Sequence, residues 1–206
     1  MPRRSIFILA IACLSLAVAL AGATLWYSHS RGGVPTDVDV STGQPIVGGD
    51  FSLVDQDGQP VDQTILKDKW SLVFFGFTYC PDYCPTTLGV LNAVQQSMGE
   101  DAKDLQIVFV SIDPERDTPQ MLKDYLSSEG FPEGVIGLTG TEEQVRAASK
   151  AYRAFYAKQG EGEGYTMSHT LTIYLMGPDG KFRAALAHDL GPDKVEDLIR
   201  LNMKRG

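Results

Sequence analysis

Cys80 and Cys84 lie in Tyr79-Cys80-Pro81-Asp82-Tyr83-Cys84-Pro85, separated by three residues and each followed by proline. A dithiol at this spacing supports two chemistries. Its thiolates bind soft or borderline metal ions. Alternatively, one thiolate attacks a disulfide and the other resolves the mixed disulfide. His169 is the third candidate, following the glycine-rich stretch Gly160 to Gly164. Two thiolates and an imidazole accept Cu(I), Cu(II) or Zn(II). Such a set is sparse for structural zinc but adequate for Cu(I), and it leaves a position open through which a metal can be handed on. Spacing alone does not separate these uses. The pair also reads as a local disulfide, although so small a loop constrains the unfolded chain little, and His169 also reads as a loop histidine bonded to backbone.

The flanking elements must bring these groups together. Leu72 to Phe77 is an apolar, aromatic run of strand length and predicts a buried strand that delivers both thiols to one turn. Thr86 to Met98 predicts a helix with Pro85 at its first position, so the thiols sit near a helix N-terminus, where the dipole favours thiolate. Leu105 to Ile112 reads as a second buried strand, closed by Asp113-Pro114. Asp113 then lies on the active edge of the sheet, placed to orient His169 or Cys80.

The rest of the chain follows the same alternation. Asp50 to Val54 and Val61 flank Asp55 to Pro60 as a hairpin. Thr118 to Leu126 reads as a helix, Val135 to Leu138 as a short edge strand, and Thr141-Glu142-Glu143-Gln144 as a capping box opening a helix to about Tyr156. Ala157 to Tyr165 is expected to be loop, and the glycines before His169 predict mobility there. Thr170 to Met176 and Lys181 to Ala187 pair across Gly177-Pro178-Asp179-Gly180, and Pro192 opens a last helix to about Met203. This order is α/β: a thioredoxin-like three-layer domain with an extra N-terminal β-hairpin. In that topology the strand after His169 lies beside the strand that carries the cysteines.

Ser5 to Ser30 contains no charged residue, while Arg3 and Arg4 precede the run and Arg31 follows it. The stretch is long enough to cross a bilayer, with the N-terminus in the cytoplasm. The expected organisation is a membrane anchor at 1–30, a tether at 31–47 and a domain at 48–206 on the exported, periplasmic side. The small-x-small triplets Ala19-Leu20-Ala21 and Ala21-Gly22-Ala23 leave a cleaved signal peptide as the competing reading. Cys13 falls inside the apolar run, so Cys80 and Cys84 are the only cysteines of the domain. An exported domain of this size with two cysteines is not a disulfide-stapled scaffold, and chemistry explains them better. The chain carries 26 acidic residues against 18 basic ones, a formal charge of −8, which argues against nucleic acid as a partner.

Three motifs carry a family resemblance: Phe77-Thr78-Tyr79-Cys80-Pro81-Asp82-Tyr83-Cys84-Pro85, then Ser111-Ile112-Asp113-Pro114-Glu115-Arg116-Asp117-Thr118-Pro119, then Ser168-His169. In this order they resemble the SCO/SenC family of copper-binding cytochrome c oxidase assembly proteins, over about Gly48 to Met203. The resemblance implies a thioredoxin-like fold, copper ligation by Cys80, Cys84 and His169, and a role at the dinuclear copper site of oxidase subunit II. That role is either copper delivery by a monomeric chaperone or reduction of the subunit's cysteines, with a redox or copper sensor as a further alternative. Ordinary thioredoxins differ, with two residues between the cysteines and a proline where Tyr165 to Thr170 has none. Peroxiredoxins place a proline before the reactive cysteine that Phe75 to Tyr79 lacks.

Overall fold

The computed structural model describes residues 47–162 and 164–205. The expected anchor, and all of the tether but Val47, lie outside the described residues. Among the described residues no helix is long and apolar enough to cross a membrane.

Strand β3 (Trp70–Gly76) is buried at every position, as a strand covered on both faces must be. It runs parallel to β4 (Leu105–Ser111), with Trp70 opposite Leu105 through Gly76 opposite Ser111. On its other side it pairs antiparallel with β8 (Thr172–Met176). A seven-stranded sheet is completed by β1 (Ser52–Asp55), β2 (Pro60–Asp62), β5 (Ile136–Thr139) and β9 (Phe182–Ala187), in the order β2-β1-β5-β4-β3-β8-β9. The N-terminal hairpin is present and attaches through β1 to β5. Consequently β5 lies inside the sheet, between β1 and β4, and is not an edge strand.

Helix α1 (Tyr83–Met98) packs against α4 (Pro192–Met203), which closes the described chain. Helix α2 (Pro119–Leu126) reaches the sheet through Tyr125, whose ring meets Phe109 of β4, itself in edge contact with Phe74. The opposite side of β3 is represented by Phe75, which packs on Tyr152 just past α3 (Glu142–Ala151) and on Tyr174. Adjacent strand residues face opposite ways, so Phe74 and Phe75 divide the core between the two faces. This is the expected α/β, three-layer, thioredoxin-like arrangement.

Beyond α3 and in the segment before His169, the structure differs from expectation. The α3 capping box is formed, with Thr141 Oγ1 accepting from the Gln144 amide and the Gln144 side chain accepting from Thr141 N–H, but the helix stops at Ala151. Arg153 adopts a left-handed conformation (φ 55°) that turns the chain away. The segment expected to be loop instead forms a hairpin, β6 (Tyr156–Gln159) antiparallel to β7 (Thr166–His169). Gly160 and Gly162 take positive φ at its tip, so these glycines serve a turn.

Candidate metal centre

Strand β3 ends at Gly76, and Phe77-Thr78-Tyr79 carries the chain to Cys80 across a turn closed by a bond from Cys80 N–H to the Phe77 carbonyl. Helix α1 starts at Tyr83, three residues earlier than expected, so Pro85 is its third residue. The missing proline N–H still falls among the first four, which have no partner within the helix. Cys84 is thereby in the first helical turn, and its N–H donates to Cys80 Sγ at 3.4 Å. Both thiols are buried, at 7% exposure for Cys80 and 2% for Cys84. Gly76 makes room for the second, because a Cβ there would lie 2.7 Å from Cys84 Sγ and 2.8 Å from the Phe109 ring.

His169, the last residue of β7, turns its ring onto this corner and stacks edge-on against Phe77. Its Nε2 is 3.9 Å from Cys84 Sγ, and the donor atoms of Cys80, Cys84 and His169 all lie within 4.8 Å of one another. On the far side of the ring, Nδ1 is 3.0 Å from the Thr170 carbonyl. A carbonyl only accepts, so Nδ1 carries the proton and the Nε2 lone pair faces the sulfurs.

The two thiols are electrostatically unequal. The Cys84 S–H donates to Cys80 Sγ, and with the neighbouring imidazole and the Cys84 and Asp82 N–H groups it outweighs burial and lowers the Cys80 thiol to about 4. Cys84 moves the opposite way, raised because its proton is held by Cys80 Sγ and because it is buried. The reduced pair is therefore a Cys80 thiolate with a Cys84 thiol behind it.

Asp113 does not bond directly to either group it was expected to orient. Its carboxylate takes Arg116 Nε at 2.6 Å and the Tyr165 hydroxyl at 2.6 Å, and among the described residues it bonds to neither Cys80 nor His169. The Arg116 guanidinium lies over the Tyr165 ring (3.6 Å) and the Tyr79 ring (4.6 Å), and its Nη1 donates to the Tyr165 carbonyl at 3.0 Å. Asp113 and Arg116 thus clamp the residue before β7 to the residue before Cys80.

The carboxylate that supports the thiol turn directly is Asp117, a residue sequence reasoning passed over. It is fully buried and accepts from Thr78 N–H, Thr78 Oγ1 (2.6 Å) and Ser111 Oγ (2.6 Å). Its position within Asp113-Pro114-Glu115-Arg116-Asp117 was the available signal. His188 stacks on Tyr83 outside the three-donor cluster, and Met167 packs at the margin of the core.

A family model described as SCO1/SenC matches residues 39–204. A putative copper-binding protein of Stutzerimonas stutzeri is 39% identical over 201 residues, covering 97% of this chain and 92% of the relative. Arabidopsis thaliana ScoI with copper bound superposes with a TM-score of 0.72 at 35% identity, covering 78% of this chain and 99% of that one. BsSco, described with a disulfide switch and as a member of the Sco family of cytochrome c oxidase assembly proteins, matches at a TM-score of 0.62 and 26% identity, covering 78% and 95%.

Proposed function

The chain belongs to the SCO1/SenC family, and on that premise we propose that it binds copper through Cys80, Cys84 and His169 and serves in cytochrome c oxidase assembly. One observation carries this reading: three soft or borderline donors converge within 4.8 Å, with the imidazole lone pair aimed inward. Metal bonds of about 2.3 Å to sulfur and about 2.1 Å to nitrogen, opened to roughly 120°, put the two atoms about 3.8 Å apart. The Cys84–His169 separation of 3.9 Å matches that span. Two sulfurs and one nitrogen suit Cu(I), and the exposed rim leaves a path for transfer to an acceptor.

In this reading copper is cargo, delivered to the copper site of oxidase subunit II by a monomer that the N-terminal helix holds at the membrane on the exported side. Oxidation of the thiolate–thiol pair to a disulfide, with one proton released from Cys84 and two electrons passed to an oxidant, removes both sulfur ligands. Cargo binding and redox state are then mutually exclusive. The experiment is a titration of the full chain with Cu(I) and Cu(II), reduced and oxidised, wild type against His169→Ala. Tight binding by the reduced wild type alone supports the reading. Uptake that is unchanged in His169→Ala, or equal after oxidation, removes it.

The inequality of the thiols favours a second reading, a reductase for a partner disulfide. The Cys80 thiolate would attack one partner sulfur and release the other as a thiolate. Cys84, losing its proton, would then attack Cys80 Sγ and release the second partner thiol. This reaction leaves a Cys80–Cys84 disulfide and needs no imidazole ligand, so His169→Ala would retain it.

A further inference from the structure

Behind the hairpin that carries His169 lies a groove of about 1100 Å³, floored by Ile112, Ala154 and Met167 and walled by α3 and β6. Its charge runs against that of the chain. The carboxylates that line it are already matched: Asp113 with Arg116, Glu115 with Lys158 and Glu142 with Arg146. Lys150 and Arg153, on the α3 side, have no carboxylate partner among the described residues. The groove therefore presents two uncompensated cations in a protein of formal charge −8.

Arg153 is held there at a backbone cost. It occupies the left-handed position after α3, where glycine is the unstrained residue. The neighbouring Phe155 is 79% exposed, at the head of β6.

The β6 backbone supplies the third feature. Thr170 N–H donates to the Phe155 carbonyl, and the hairpin register places Ala157 opposite Ser168 and Gln159 opposite Thr166. Antiparallel bonding alternates, so Tyr156 and Lys158 point their N–H and C=O groups away from β7. Both residues line the groove, and among the described residues β6 has β7 as its one strand partner. An unpaired edge beside free cations and an exposed aromatic ring is a template for strand addition.

We propose that this groove docks an extended, acidic segment of a partner protein, which adds as a strand to the free edge of β6 and sets its carboxylates on Lys150 and Arg153. The segment then lies one strand from His169, since Tyr156 is the cross-strand neighbour of His169. The inference does not depend on copper.

The test is a titration of the isotopically labelled full chain, metal-free, with three synthetic octapeptides. One alternates aspartate and valine, one alternates lysine and valine, and one repeats the acidic sequence with alternate amides N-methylated. The acidic peptide is expected to shift and protect the Tyr156 and Lys158 amides and to perturb Lys150 and Arg153. The lysine peptide is expected to do neither, and the N-methylated one to bind at least about tenfold more weakly. Lys150→Glu with Arg153→Glu is expected to weaken the acidic peptide by roughly tenfold or more while leaving the hairpin resonances in place. Equal binding of the N-methylated peptide would reduce the groove to a diffuse cationic patch and overturn the proposal. Indifference to the charge reversal, shifts confined to another surface, or occupation by a second copy seen as concentration-dependent dimerisation would each overturn it too. None of these outcomes depends on copper binding, so a failure here leaves the metal centre untouched.

Discussion

His169 Nε2 faces Cys84 Sγ across 3.9 Å although the two residues are 85 positions apart. The contact depends on the antiparallel pairing of β3 with β8, which brings the end of the β6–β7 hairpin to the thiol corner. What holds that corner, and what holds the hairpin against it, can be tested residue by residue.

The first test is the unequal titration of the thiols. Cys80 alkylation by iodoacetamide in the reduced, metal-free chain should be nearly independent of pH from about 5 to 8 and fall as pH drops through about 4. Cys84→Ala removes the S–H donor and should move that fall toward the ordinary thiol range. The linkage to stability has two signs. Ionised Cys80 stabilises the fold above the ordinary thiol value, and the contribution is lost as pH falls through its lowered one. Cys84, raised, contributes below the ordinary value and loses the contribution as pH rises above it. Mass spectrometry of the alkylated sites reads the reactivity, and urea midpoints read the stability.

Gly76 is the second test. In Gly76→Ala the new methyl group meets Cys84 Sγ at 2.7 Å and the Phe109 ring at 2.8 Å. The expected cost is about 1–3 kcal/mol from overpacking, with weaker copper retention because the displaced atom is a donor. Urea unfolding and chelator competition measure the two effects separately.

Asp117 is the third. Replacing it with alanine strands the buried Ser111 hydroxyl and the Thr78 donors, at about 1–3 kcal/mol for each buried group left unpaired. Asp117→Asn keeps one acceptor and should cost less. Burial raises the Asp117 carboxyl, so its contribution is fully present at low pH and declines as pH rises through the raised value. The asparagine variant should lose that dependence, as urea midpoints taken across the acid range would record.

Tyr165→Phe removes the hydroxyl that bonds Asp113 at 2.6 Å and loosens the clamp beneath β7. Copper affinity should fall by about three- to tenfold, the equivalent of one hydrogen bond. In a His169→Ala background the same change should have almost no effect, because the clamp acts by placing the imidazole. A loss of equal size in both backgrounds would make Tyr165 a general stabiliser of the fold.

The sequence by itself determined the features that local chemistry dictates. Apolar runs of strand length, nearly unbroken in the second case, marked β3 and β4, Thr141 and Gln144 marked the start of α3, and Gly177-Pro178-Asp179-Gly180 marked the turn between β8 and β9. The strand order that these imply put His169 near the thiols, and the three motifs named the family. Only the tertiary structure decided the hairpin β6–β7, because Tyr156 to Gln159 and Thr166 to His169 have a weak strand pattern and are held by each other, while Arg116, 49 residues earlier, fixes Tyr165 just before β7. It also separated the two aspartates. Asp113 and Asp117 are alike in sequence and both buried, and only packing sends one to Arg116 and Tyr165 and the other to Thr78. The asymmetry of the thiols is likewise tertiary: equal by residue type, they differ because Cys84 is buried against β3 and keeps its proton, donating it in a hydrogen bond to Cys80 Sγ.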